Sequence, residues 1–278
     1  FLFLVACHLG VTGVALSALI AGIISDIVGF VYLLIAHPEL RIHRGDFHFE
    51  KAEIAKQLRL SLPLALQLTV ISLGGFWIQS AIDGLGKNAI LALSALGKLT
   101  ACLGLFGNGL NNAIGPFMAQ NLGKSQAKRA KQGLNIELAM AFGFSILDAV
   151  ILIFCYEPVL GIFVSEINGE ILSYARLGMF FNLLVLAINP FYGSFRYVLG
   201  AINKPLWNLL AGLLQLFSQL LLVFVFALFW MPYAVIGAGA LAQVLPAILL
   251  SILIIHYVYR DPAFKKDGSS DFWDSSKR

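Results

Sequence analysis

The 278 residues include 59% hydrophobic and only 12% charged side chains, with a mean hydropathy of +0.84. Soluble domains are about a quarter charged, so a water-facing globule is excluded and the surplus apolar side chains must face lipid. The net charge of +4 does not indicate nucleic acid, because the basic residues fall between apolar runs, where membrane topology accounts for them.

Taken in chain order, residues 1–9 read as the end of a span. Phe1 opens inside an apolar run, so the natural protein is expected to continue upstream. Seven candidate full spans follow: 11–36, 60–82, 89–117, 134–156, 172–199, 206–230 and 235–258. Their length suits membrane helices; barrel strands would be about half as long and would alternate polar with apolar residues. The fold class is therefore all-α and polytopic, with seven full transmembrane helices plus the end of another.

The loops between these spans alternate in Lys and Arg. Residues 37–59 hold Arg41, Arg44, Lys51, Lys56 and Arg59, whereas 83–88 hold only Lys87. Residues 118–133 hold Lys124, Lys128, Arg129 and Lys131, whereas 157–171 have neither Lys nor Arg. Lys204 follows, then an uncharged 231–234, then a tail with Arg260, Lys265, Lys266, Lys277 and Arg278. A wrong span count would break this alternation, and the basic loops and C-terminus are expected to face the cytoplasm. Residues 37–59 read as a linker carrying a short amphipathic, interfacial helix (Phe47, Phe49, Ile54, Leu58). Residues 259–278 read as a disordered cytoplasmic tail. A faint echo links the first and last full spans: Val11-x-Gly13 with Ile24 and Pro38, against Val235-x-Gly237 with Ile248 and Pro262. One offset aligns all four pairs, as a parallel repeat of six helices would produce.

Charges deep in a bilayer are costly and count as functional candidates. Asp26 lies roughly 15 Å from the cytoplasmic end of its helix, and Lys98 and Asp148 lie about 12–13 Å below the outer ends of theirs. Lys98 and Asp148 are thus expected to pair, either as a structural bridge or as a coupling site. Glu137, Asp83, Arg176 and Arg196 sit near span ends, where the arginines can snorkel. Gln67, Gln79, Asn108, Asn111, Asn112, Asn182, Asn189, Tyr192, Gln215, Gln219 and Gln243 supply polar groups that either bond neighbouring helices or line a polar cleft. Of these, Gln67, Gln79, Asn108, Asn112 and Tyr192 are the candidate cleft residues. Pro63, Pro190 and Pro246, with Gly104, Gly107, Gly109 and Gly115, mark places where helices bend. No HExxH, GxSxG or Walker sequence occurs, so no catalytic residue, metal ligand or cofactor is assigned. The three cysteines, Cys7, Cys102 and Cys155, have no metal-type spacing, and His37, His43 and His48 read as loop residues.

The stretch Gly115-Pro116-Phe117-Met118-Ala119-Gln120-Asn121-Leu122-Gly123, followed by Lys128-Arg129-Ala130, resembles the turn and basic loop after the eighth helix of the multidrug and toxic compound extrusion (MATE) transporters of the MOP superfamily. Leu62-Pro63-Leu64-Ala65-Leu66-Gln67 with Gln79-Ser80-Ala81-Ile82-Asp83-Gly84 is similar to that family's seventh helix. Phe195-Arg196-Tyr197-Val198-Leu199-Gly200 is similar to the close of its tenth, and Val11-Thr12-Gly13-Val14-Ala15 to the start of its sixth. The resemblance implies that 1–36 ends the first lobe and that 60–258 is the complete second lobe of a two-lobed antiporter. It further implies export of organic cations or other amphipathic molecules in exchange for Na⁺ or H⁺, with membrane lipid and the N-terminal lobe of the same protein as partners. Some members couple through acidic residues in helices seven and ten. Here those helices offer Gln67 and Gln79, then Asn182 and Asn189, so that site does not carry over and both ions stay open. Two rival functions are a lipid-linked oligosaccharide flippase, which needs more cationic groups than Lys98 and Arg196, and a non-transporting membrane subunit.

Overall fold

The computed structural model describes residues 10–36, 50–164, 166–229 and 234–260; His37, His43, His48 and the tail from Asp261 lie outside them. The described residues are helical and contain no strand. This follows from the composition, since in lipid only a helix satisfies its own backbone groups along a single segment. Contacts group the chain into two units, one ending at Ala55 and the other beginning at Lys56.

In the first unit, α1 (Gly10–Ala36) exposes Ile24, Val28, Tyr32 and Ile35 along its length. Asp26 is exposed on the same helix. Next, α2 (Lys51–Asp83) begins before the second unit and runs on without a break, even through Pro63. Residues 51–59, read from sequence as part of an interfacial helix, are the first turns of this span.

The second unit continues with α3 (Lys87–Leu103), α4 (Leu105–Gly123), α5 (Ala127–Phe163), α6 (Gly169–Ala201) and α7 (Pro205–Leu228). It ends with α8 (Val235–Leu241), α9 (Val244–Ile254) and a π-helical turn over Ile255–Arg260. Six helical stretches among the described residues are long and apolar enough to cross a membrane, or seven when the bent pair of α3 and α4 is one span. The expected span 89–117 is thus broken by 48° at Gly104, within the glycine-rich stretch. The last span breaks at Ala242 and Gln243, where the ring of Pro246 clashes with the carbonyl one turn earlier. Gly86, at φ 95°, turns the chain from α2 into α3 in a conformation that favours glycine.

Two apolar clusters hold the unit together. Met118, Leu122, Leu134, Val198, Leu199, Leu250 and Ile254 join α4, α5, α6 and α9. Ala89, Ala92 and Ala95 form a small-residue stripe on α3 that lets it approach Leu160 of α5 and Tyr174 and Ala175 of α6. Phe154 and Ile162 remain about three-quarters exposed (75% and 76%), as lipid-facing side chains should.

Gly178 of α6 sits where a Cβ would meet Leu93 and Leu96 of α3 at 2.7 and 2.8 Å. Gly178→Leu should therefore overpack this contact and cost about 1–3 kcal/mol. Gly143, with nothing within 4 Å, should accept leucine without loss; thermal unfolding of the two variants in detergent checks the contrast.

Candidate functional site

Helix α6 carries the polar centre of the second unit. Along its last half, Tyr192, Gly193 and Ser194 are all buried and face different neighbours. Towards α7, the Tyr192 hydroxyl donates to Gln215 Oε1 at 2.5 Å. The Arg196 guanidinium lies 5.3 Å from the centroid of the Tyr192 ring. Asn208 of α7 donates its amide to the Arg196 carbonyl at 2.8 Å. Arg196 thus points into the bundle rather than snorkelling, and its Nε is buried without a partner.

Gln67 of α2 joins this seam. It is 2% exposed, and Gly212 of α7 lies against its Cγ. Further along, Gly74 of α2 makes room for Gln219 of α7. Gln67 Nε2, Asn208 Oδ1 and Gln219 Oε1 lack partners as well. A cavity of about 240 Å³ opens beside Gln67, Arg196 and Asn208.

Towards α4 and α5, a second polar knot forms around Ser194. Its Oγ lies 2.7 Å from Glu137 Oε1 and 3.0 Å from Asn111 Oδ1. Glu137 is 6% exposed, Asn111 5% and Ser194 fully buried. Gly193 is what lets α4 come this close, because a Cβ there would collide with the Asn111 side chain.

The candidate residues from the sequence divide. Gln67 and Tyr192 lie in the buried seam. Gln79, Asn108 and Asn112 are exposed on the surface of the unit, and Gln79 donates to Asp83 of its own helix at 2.8 Å. Lys98 and Asp148 are not brought together: among the described residues no ion pair joins them. Lys98 is exposed, with its ammonium 4.3 Å from the Phe163 ring centroid. The reason is the length of α5, which continues to Phe163 instead of ending at 156. Phe163 is four turns, about 22 Å, beyond Asp148, so the matching depths inferred for the pair do not hold. Asp148 itself is buried. An exposed ion pair joins α5 and α6 instead, between Arg176 and Glu157 at 3.5 Å.

From sequence alone Glu137 reads as lying near a span end, and Ser194 does not stand out. A signal was present. The buried residues of α5, Ala127, Ala130, Leu134, Glu137, Ala141, Asp148 and Leu152, are spaced by three, four or seven residues, which keeps them on one helix face. Both acids stand on that seam.

The MatE family model matches residues 63–227. The chain belongs to the MatE family. Members of this family are transporters, not enzymes. The MATE chain is 26% identical over 211 residues to an FAD transporter of Shewanella oneidensis, covering 75% of this chain and 46% of that one. It is 27% identical over 198 residues to a probable multidrug resistance protein NorM of Bradyrhizobium diazoefficiens, covering 67% and 40%. It therefore spans less than half the length of these relatives. A MOP superfamily transporter from Pyrococcus furiosus shares the fold at a TM-score of 0.79, with 16% identity over 95% of this chain and 59% of that one.

Tyr192→Phe should strand the buried Gln215 oxygen and cost about 1–3 kcal/mol, whereas Tyr192→Phe with Gln215→Leu should recover most of that loss. Chemical unfolding of both variants in detergent measures the difference.

Proposed function

We propose that this multi-pass MATE chain supplies the second lobe, 60–258, and the end of the first lobe, 1–36, of a secondary antiporter. In this reading it exports organic cations, drugs or other amphipathic molecules in exchange for Na⁺ or H⁺ by alternating access. The observation that carries the reading is the exposure of Asn108 and Asn112, one turn apart on α4, on a helix otherwise apolar enough for the membrane. Amides seldom face lipid; they face another helix or a water-filled cavity. Together with Gln79, these groups fit the wall of a polar cleft, and the buried seam of Gln67 and Tyr192 lies on neighbouring helices. Asp26 and Asp148 remain candidate intramembrane charges for coupling, and Lys98 a candidate charge held by Phe163.

A second substrate class is favoured by Arg196, whose guanidinium and unpartnered Nε border the cavity beside Gln67. A cation in that position suits an anionic amphipath, the chemistry that the Shewanella relative's name carries. The two are distinguished by efflux. Cells expressing the complete reading frame should accumulate less of a cationic dye than vector controls, and Asn108→Leu with Asn112→Leu should reduce that efflux severalfold at equal expression. Export of FAD without dye efflux would shift the substrate class, and export of neither would overturn the transport reading.

Orientation is also testable. With the basic loops inside, green fluorescent protein fused after Arg278 should fluoresce in a bacterial host, and alkaline phosphatase fused there should be inactive.

A further inference from the structure

The knot around Ser194 has a proton count that its oxygens alone do not meet. A hydroxyl has one hydrogen, so Ser194 cannot donate to both Glu137 Oε1 and Asn111 Oδ1, yet both lie at hydrogen-bonding distance. Amide and carboxylate oxygens only accept. Two bonds among three oxygens need two protons, and Ser194 supplies one. With the Asn111 oxygen facing Ser194, the other sits on the carboxyl.

Turning the Asn111 amide over would offer Ser194 an N–H donor. It would also leave a full negative charge on Glu137, whose Oε2 is buried without a partner. Among the described residues no cation is positioned to offset that charge. On α6, Arg196 is two residues from Ser194, about 200° around the helix, and engages Tyr192. On α3, Lys98 is held at Phe163. On α4, Lys124 caps the helix end, more than three turns from Asn111. On α5 itself, Lys131 lies over Tyr259 at 4.6 Å, and Asp148 is three turns away. Tyr197 of α6 packs on Gly115. The remaining side of Glu137 borders a crevice of about 330 Å³ between α4 and α5, lined by Ile114, Phe117, Ile136 and Met140, which offer no donor. An isolated carboxylate in such surroundings takes up a proton or a metal cation. Oxygens 2.7 and 3.0 Å apart have the spacing of hydrogen bonds.

We propose that Glu137, Ser194 and Asn111 form a proton-binding site in the second unit, with Glu137 held as a neutral acid that donates to Ser194, which donates in turn to Asn111. The site takes up one proton per chain, converting carboxylate to carboxyl, and no other bond changes. Its use in driving transport rests on the antiport reading; proton binding does not.

Infrared spectroscopy of the full chain in lipid at neutral pH tests the binding. Wild type should show a protonated-carboxyl stretch that Glu137→Gln removes, that Asp148→Asn leaves in place, and that Ser194→Ala shifts upward in frequency as the carboxyl loses its acceptor. A spectrum that Glu137→Gln leaves unchanged would overturn the proposal. So would a band abolished by sodium chloride but not by choline chloride, because the pocket would then hold Na⁺. A second measurement separates binding from coupling. With the complete reading frame in vesicles, Glu137→Gln should lower pH-gradient-driven efflux at least severalfold. If the infrared band behaves as expected and efflux is unchanged, the proton site stands and its coupling role falls.

Discussion

The approach of α6 to α4 at Gly193 is the contact on which the centre of the molecule depends. Without a Cβ at that position, Asn111 fits against the α6 backbone. Ser194 is then placed between Asn111 and Glu137, one oxygen to each side. α6 also packs on α3, α5, α7, α8 and α9, so its position sets theirs. Glycines at its contacts with α3 and α4, Gly178 and Gly193, let side chains from those helices reach its backbone. In a bilayer there is little hydrophobic force between helices, and close packing of small residues and interhelical hydrogen bonds takes its place.

The same principle orders the polar groups into two sets. Tyr192, Arg196, Gln215 and Asn208 satisfy one another in part between α6 and α7, with Gln67 of α2 alongside. Ser194, Asn111 and Glu137 do so between α6, α4 and α5. Both sets keep buried polar atoms without partners. Buried polar groups in lipid are costly when unpaired, and these atoms are left with room for a further partner.

The spans were legible because their signal is additive: twenty apolar residues in a row cannot be balanced by any single contact. The breaks were less so. Gly104 and Pro246 were visible as bend points, but the 48° at Gly104 was not, and α3 and α4 each pack on α6 on either side of it. Helix ends were the weakest part. Ending α5 at 156 placed Asp148 and Lys98 at similar depth, and starting it at 134 put Glu137 near a span end; the helix runs from Ala127 to Phe163. Hydropathy falls at Glu157 and Pro158, yet helical hydrogen bonding continues because the end of α5 still packs Leu160 against Ala92 and Tyr174. Of the polar residues, Gln67 and Tyr192 could be named from sequence, but whether they faced inwards could not, since a membrane helix is apolar on every side.

The sequence by itself determined that the chain is all-α and multi-pass, and its motifs pointed to the MATE family. These properties follow from local composition, because lipid forces each segment to satisfy its own backbone. The tertiary structure decided what the ionisable side chains meet. It held Lys98 against Phe163, turned Arg196 into the bundle, and set Glu137 beside Ser194 from a position fifty-seven residues away. Such pairings depend on helix rotation and crossing at particular glycines. Neither is encoded in the order of apolar and polar residues along any one span.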